Sequence, residues 1–460
     1  MSAATVGPVH ENGTRGLRTT ALTGRVGPAV VVALPLAVCL LWWWARPAGE
    51  QTGSYVGQLA GALSVLLMSE AMVLVSTLPW VDTWFDGIDR AAIWHRRVAI
   101  LGLVLLLPHI LLAHHHSSSS WANPAGVVAT VGLVTLAVWA ILPRWRSITP
   151  RAVRGWVEAA RAWPPADLLG RLLGSYDLWR QVHRLTGLFL AIGFAHGLAD
   201  ASPFADAPVL AWVYVVTSGI GLAFYVYREL FARRGHGLRD YQVARVSAVG
   251  EGLTEVALRP LGKPLRFSPG QFAMLNLEAK DGWHRHPFTL AGSPSEPELR
   301  VTIKALGDYT SSVGELVRPG MPAVVSGPHG RFTHAKGTAD QVWIAGGVGV
   351  TPFLSWLRSL EAQPPRGRVD LFYSVADEAP YLEEIEGIVD AHDDLHLHLV
   401  RSRVDGRLTA ERVLDAVPAA PADVSVFLCG PEPMVASLQR GLVDGGVRRS
   451  RLFREHFDWR

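Results

Sequence analysis

Two stretches decide the fold: AAIWHRRVAILGLVLLLPHILLA at residues 91–113 and VHRLTGLFLAIGFAHGL at residues 182–198. Each is an apolar run that carries two histidines, His95 and His109 on the first, His183 and His196 on the second. Ionisable side chains at membrane depth are costly, so those that occur face the bundle interior and carry function. At 1.5 Å rise per residue, the 14- and 13-residue spacings separate the paired positions by about 20 Å along the helix. That separation suits two haems stacked across a hydrocarbon core about 30 Å thick, each clamped by one imidazole from either helix. One membrane histidine alone would read as an interfacial or hydrogen-bonded core residue; four in two co-spaced pairs favour ligation. The spacing carries a demand. In a straight helix 14 residues return to within about 40° of the starting face, whereas 13 land about 140° away. The second stretch is therefore expected to be overwound or bent, with Gly187 and Gly193 able to take the distortion, or its imidazoles to reach around the helix, and Pro108 is expected to kink the first.

The 460 residues exceed one domain and suggest about three. A mean hydropathy of +0.21 with 17 Trp indicates a membrane section, and the apolar excess lies in the first half. A net charge of +3 gives no case for a nucleic-acid partner. The cysteines are Cys39 and Cys429, in different halves, which excludes a disulfide framework and a four-cysteine iron–sulfur cluster within the chain. Arg15, Arg18 and Arg25 lead directly into an apolar run, so no cleaved leader is expected.

Six runs are long enough, or nearly so, to cross a lipid bilayer: Pro28–Trp44, Val56–Trp80, Ala91–Ala113, Val127–Leu142, Val182–Leu198 and Val209–Tyr227. Basic residues crowd one set of connections: Arg15, Arg18 and Arg25, then Arg96 and Arg97, then seven arginines from Arg144 to Arg180, then Arg228, Arg233 and Arg234. The opposite loops hold Arg46 with Glu50, Asp200 and Asp206. Positive charge marks the cytoplasmic side, so a plasma (inner) membrane protein with both termini inside is expected. His95 and His183 then lie at the inner leaflet, His109 and His196 nearer the outer face. Glu70, inside the second run, is expected to pair with an inner-leaflet arginine or to help move protons, pairing being the simpler reading. Arg96, Arg97 and Arg184 are placed to hold haem propionates or to snorkel to lipid phosphate. The loop His114-His115-His116 reads as a solvated turn more readily than as a metal site.

After Arg234 the pattern changes to short alternating strands, Tyr241–Val246, Thr254–Arg259, Phe272–Leu277 and Leu299–Ile303, which suggest a small antiparallel barrel. A flavin dinucleotide needs an aromatic against its ring, a hydroxyl near the ring nitrogen, and cations with backbone amides for its pyrophosphate. Phe288, Thr289, His286 and Lys304 can supply those roles. From Gln341 the order becomes strand, glycine loop, helix. Val342–Ala345 leads into Gly346-Gly347-Val348-Gly349-Val350-Thr351-Pro352, whose glycines let amides approach a phosphate; Pro352 stands where the dehydrogenase fingerprint has its third glycine. Strands Val369–Ser374, Leu395–Val400 and Ser425–Leu428 complete a parallel sheet, the last running into Cys429-Gly430-Pro431. The domains expected are a cytoplasmic tail at 1–25, a six-span haem-binding bundle at 26–234, an FAD-binding β-barrel at 238–336 and an NAD(P)-binding α/β domain at 337–460.

The strings His286-Pro287-Phe288-Thr289, Gly307-Asp308-Tyr309-Thr310, Gly346–Pro352 and Cys429-Gly430-Pro431, in that order, resemble the NADPH oxidase and ferric reductase family, and the soluble half resembles ferredoxin–NADP reductases. The resemblance implies FAD, NADPH and two b-type haems, with His95 and His183 on the inner iron and His109 and His196 on the outer. It implies that His286, Pro287 and Lys304, with Gly307, Asp308 and Thr310, bind FAD, that Phe288 and Thr289 lie beside the flavin ring, and that Thr289 and Cys429 serve catalysis. Gly346, Gly347, Gly349, Thr351, Pro352, Cys429, Gly430 and Pro431 would hold the nicotinamide nucleotide, and Ser402-Arg403 resemble the pair that takes the 2′-phosphate of NADPH. The tail Phe457-Asp458-Trp459-Arg460 resembles the segment whose aromatic, Phe457 or Trp459, covers the flavin. Two departures weaken the superoxide-producing reading: Ala113 stands where oxidases place a further histidine, and the outer end of the second run lacks their arginine. A ferric chelate is then the preferred acceptor, ahead of oxygen and of an extracytoplasmic redox protein. No calcium-binding loop precedes the first run, so calcium gating is not expected.

Overall fold

The computed structural model describes residues 24–76, 78–113, 120–141, 155–156, 159, 176–231, 237–278 and 285–455. The chain folds as two compact units that part between Arg234 and Gly235.

The N-terminal unit is helical. Its elements are α1 (Val26–Trp44), α2 (Thr52–Leu74), α3 (Pro79–Phe85), α4 (Ile88–Leu112), α5 (Ala122–Ile141), α6 (Tyr176–His183), α7 (Thr186–Asp200), α8 (Pro203–Asp206) and α9 (Pro208–Leu230). Six spans among them are long and apolar enough to cross a membrane, with α6 and α7 counting as one over Gln181–Asp200. α2 is the central element: 67% of its apolar window is buried, against at most 22% for the others. Large apolar side chains face outward, among them Leu40 at 75% exposure, Leu111 at 71% and Trp212 at 67%. A soluble fold seldom leaves so wide an apolar surface, whereas lipid covers it without cost.

Three expectations change here. The second run does not continue to Trp80: its helix ends at Leu74, and Pro79 opens the separate helix α3, because proline suits a first turn and cannot continue an existing one. The bend in the fifth run is a break located at Arg184–Leu185, where the Leu185 N–H donates to Val182 O (2.9 Å) and the Gly187 N–H to Arg184 O (3.3 Å). These i→i−3 bonds tighten the turn directly after His183 and absorb the phase error of a 13-residue spacing. Third, Glu70 has no arginine partner among the described residues; both its oxygens are buried without a hydrogen bond. α4 runs unbroken through Pro108.

The C-terminal unit holds two sheets. Six antiparallel strands form a half-barrel in the order β4-β3-β6-β1-β2-β5: β1 (Leu238–Gly250), β2 (Leu253–Pro260), β3 (Phe272–Leu277), β4 (Arg285–Thr289), β5 (Leu299–Lys304) and β6 (Pro322–His329). Tyr241, Val256, Leu275, Val301 and Val325 fill its core beneath helix α10 (Asp308–Leu316). Five parallel strands follow in the order β11-β10-β7-β8-β9: β7 (Gln341–Gly346), β8 (Val369–Val375), β9 (Leu395–Arg401), β10 (Ser425–Cys429) and β11 (Leu452–Arg454). Helices α11 (Thr351–Leu357), α12 (Leu382–Asp390), α13 (Ala410–Ala416) and α14 (Glu432–Asp444) cover its faces. Strands β4, β6 and β11 are additions to the elements expected from sequence. The strand order reverses between β7 and β10, and in such sheets ligands bind beyond the carboxyl ends of the strands at that switch.

Barrel and parallel sheet are joined by a buried polar cluster. Arg358, 5% exposed, donates to both oxygens of Glu384 (2.6 and 2.8 Å) and to the carbonyl of Ala291 (2.9 Å). Its guanidinium lies 5.4 Å from the Tyr381 ring, and the Tyr381 hydroxyl donates to Glu255 (3.0 Å), which Arg300 grips with both oxygens. Removing one partner of a buried pair strands the other's charge. Arg358→Ala should therefore lower the stability of this unit by about 3 kcal/mol, read as a fall in the melting temperature of the full chain. An unchanged melt would mean that the two sheets are held by apolar packing alone.

Candidate functional site

In the helical unit, both histidines of α4 are tied to α2. His95 Nδ1 donates to Ala71 O at 2.9 Å and His109 Nδ1 to Gly57 O at 3.1 Å. A carbonyl only accepts, so each Nδ1 carries the proton, which leaves the lone pair of the ring on Nε2. His196, on α7, is held the same way by Ala122 O at 2.9 Å. The rings of His109 and His196 stand 6.0 Å apart, centroid to centroid, at an interplanar angle of 64°. Two imidazoles sharing one metal at about 2.0–2.1 Å each would place their centroids about 6.3 Å apart. Glycine makes the room: a Cβ on Gly61 would fall 2.6 Å from His109 Nδ1, and one on Gly126 2.9 Å from His196 Nε2.

His109 and His196 line one cavity with Met68, Leu106, Leu133 and Leu190. Ser64 also lines it, 1% exposed, its hydroxyl without a hydrogen-bond partner. Among the described residues no group of three or more metal-ligating side chains occurs. Two imidazoles facing one apolar cavity would suit a haem iron. At the other level, His183 ends α6, stacks on Trp179 at 4.9 Å, and leaves a buried Nδ1 without a partner. His95 and His183 are near enough to interact electrostatically. Arg184 is not free for a propionate: it pairs with Glu229 of α9. His114–His116 lie outside the described residues.

In the C-terminal unit, the motif His286–Thr289 is strand β4 itself. The His286 ring stacks on Tyr309 at 3.7 Å, fixing the start of α10 against the strand. Thr310 Oγ1 accepts from the Gly307 N–H at 3.1 Å and closes the first turn of that helix. Thr289 is 6% exposed and its hydroxyl is buried without a partner, the state of a group awaiting a ligand acceptor. Lys304 ends β5 on the surface.

The second sheet brings its two motifs into contact. Ala345 of β7 pairs with Cys429 of β10, so the Gly346–Pro352 loop and Cys429-Gly430-Pro431 leave adjacent strand ends. A Cβ at Gly349 would lie 2.3 Å from Cys429 O, and one at Gly430 3.0 Å from Gly346 Cα. Gly347 has φ +53° with open space before it, which leaves its amide accessible. The Thr351 hydroxyl is buried against Val348 O (3.1 Å) and stiffens the loop. Ser402 and Arg403 follow β9; Arg403 makes an exposed ion pair with Asp377 at 3.3 Å.

Burial, with Glu455 adding repulsion, holds the Cys429 thiol well above the usual range. Glu455, 8% exposed, was not singled out from sequence; β11 brings it beside the end of β10, its N–H donating to Leu428 O at 3.1 Å. A lone acid five residues from the end of the chain offers no sequence signal. Phe457 and Trp459 lie outside the described residues.

Residues 239–346 match the family described as an FAD-binding domain, and residues 343–440 that described as an oxidoreductase NAD-binding domain. Residues 239–440 thus form a module that joins an FAD-binding domain to an oxidoreductase NAD-binding domain. The chain is 31% identical over 209 residues to the glycine betaine monooxygenase reductase subunit of Chromohalobacter salexigens, covering 42% of this chain and 56% of that protein. It is 27% identical over 235 residues to a flavohemoprotein of Pseudomonas aeruginosa, covering 48% and 59%. The chain thus spans somewhat over half the length of these relatives. The flavohem-like FAD/NAD binding domain of a Vibrio cholerae nitric oxide dioxygenase aligns at 20% identity and TM-score 0.41, covering 47% of this chain and 97% of that one.

A thiol so placed is protonated at neutral pH and shielded from reagents. Iodoacetamide at pH 8 should leave Cys429 unmodified in the folded protein and alkylate it in denaturant, by peptide mass spectrometry. Rapid labelling of the native chain would show that the switch point is open to solvent.

Proposed function

We propose that this oxidoreductase carries electrons from cytoplasmic NADPH, through FAD and two b-type haems, to a small acceptor beyond the plasma membrane, a ferric complex rather than oxygen. The observation that carries the reading is the His109–His196 pair, 6.0 Å apart across an apolar cavity, on one chain with an FAD- and NAD(P)H-binding module. When bound, FAD accepts a hydride and releases single electrons, and the haem irons relay them.

The chain's own residues do the rest. The Gly346–Pro352 loop offers backbone amides to the nucleotide pyrophosphate, and Gly349 lets it approach the Cys429 end of β10. Arg403, with Ser402, would take the 2′-phosphate of NADPH as a dianionic partner in place of Asp377, with which it now pairs. Thr289 would offer its unpartnered hydroxyl to the flavin ring, Phe288 its aromatic face, and His286 and Lys304 their ring N–H and charge to the pyrophosphate. His95 with His183, and His109 with His196, would hold the irons through Nε2, while Ala71, Gly57 and Ala122 fix three of the four rings. Met68, Leu106, Leu133 and Leu190, packed between the two histidine levels, keep water from the path. The arginine-rich connections support an inward-facing reductase module.

Anaerobic NADPH should reduce the purified protein's Soret and α bands, and a ferric chelate should reoxidise them faster than oxygen does. Absence of haem absorbance, or reoxidation by oxygen alone, would defeat the proposal. His109→Ala should remove one of the two haem spectra and leave NADPH-dependent dye reduction within about twofold of the parent. Loss of dye reduction as well would mean that the reductase module does not work by itself.

A further inference from the structure

We infer that Trp179 is the positioning residue for His183, holding by ring contact the candidate ligand that no backbone carbonyl holds. This rests on reading His95 and His183 as the ligands of the inner haem, and it says how the fourth imidazole is kept in place. The other three rings share one device. Nδ1 of His95, His109 and His196 donates to the carbonyls of Ala71, Gly57 and Ala122 at 2.9, 3.1 and 2.9 Å. Such a bond sets both the tautomer and the orientation of a ligating imidazole. His183 departs from the pattern: its Nδ1 is buried and has no hydrogen-bond partner among the described residues. Its ring lies instead along the indole of Trp179, with centroids 4.9 Å apart and planes 18° from parallel.

The local chain explains the difference. His95, His109 and His196 lie within α4 and α7, which pack against α2 and α5 and meet their carbonyls. His183 is the last residue of α6, directly before the break at Arg184–Leu185. Its backbone is fixed from the far side, where the Thr186 hydroxyl donates to His183 O at 2.5 Å. Its ring is fixed from the near side. Trp179 stands four residues earlier and so shares a face of α6 with His183. Side chains of a helix lean toward its N-terminus, which carries the imidazole of His183 back onto the indole. An offset stack of this kind holds the plane of the imidazole and uses neither ring nitrogen. Nε2 therefore stays available to an iron, while rotation about the Cβ–Cγ bond is restrained. His183 is then the ligand whose hold depends on a single side chain, and the inner iron is the one that a substitution outside the ligand set would open.

The test uses the full chain in detergent and reads iron coordination. In oxidised Trp179→Leu the low-spin ferric signal that His196→Ala removes should remain, while the other low-spin signal shifts or gives way to a high-spin one. After dithionite reduction, carbon monoxide should bind about half of the haem in Trp179→Leu and almost none in the parent, since an iron clamped by two imidazoles has no open position. Trp179→Phe keeps a stacking face and should restore the parent's spectra. If Trp179→Leu does not accumulate, Trp179→Met, which is unbranched and also lacks a ring, carries the same expectation. Parent-like spectra and carbon monoxide behaviour in Trp179→Leu would overturn the positioning role and leave the haem reading standing. Loss of both low-spin signals together, or failure of Trp179→Phe to restore the second, would overturn it too, because the indole would then support the bundle rather than one ligand. Absence of haem absorbance from the parent protein would overturn both the inference and the reading beneath it.

Discussion

The helical unit depends on two hydrogen bonds between α2 and α4. Ala71 to Gly57 spans 14 residues and His95 to His109 spans 14, in opposite directions along antiparallel helices. A slip of one residue in this register would turn both imidazoles away from their carbonyls at once. The bonds also choose the tautomer, since an acceptor oxygen demands the proton on Nδ1. Position, orientation and chemistry of two candidate ligands are thus set by backbone atoms of one buried helix. α2 is poor in large side chains where this happens: Gly57 admits the α4 backbone and Gly61 the His109 ring. The opposing candidate ligands come from a helix in two pieces, and the break at Arg184–Leu185 sets His183 and His196 on two segments rather than on one straight helix.

In the C-terminal unit the corresponding constraint is close approach of backbone. Gly346, Gly349 and Gly430 allow the ends of β7 and β10 to meet without side chains between them. Glu455 then lies beside Cys429, while the Arg358–Glu384–Tyr381–Glu255–Arg300 cluster keeps the sheets in one arrangement. A hydride donor and its acceptor must be held to within a few tenths of an ångström, and a charged, fully bonded seam is stiffer than an apolar one.

Much of this was legible in the chain because the signals were periodic. Apolar runs gave the six spans, and alternating strands and glycine loops gave both sheets. What escaped was decided by tertiary contact. Strands β4 and β6 carry proline and histidine and read poorly by propensity; they are strands because β3 pairs with each of them. The end of α2 was misplaced because Val75, Leu78, Pro79 and Trp80 prolong the apolar run after the helix stops at Leu74. Arg184 was assigned to a propionate or lipid phosphate because Glu229, its partner, lies 45 residues away. Glu455 gave no sign because its meaning comes from β11 lying beside β10.

The most direct test of the central claim is low-temperature electron paramagnetic resonance of the oxidised chain, alongside haem quantification. Iron held between two imidazoles is low-spin, so two distinct low-spin ferric signals at two haems per chain are predicted, one of them lost in His196→Ala. A high-spin spectrum, or a haem content unchanged by His196→Ala, would contradict the account.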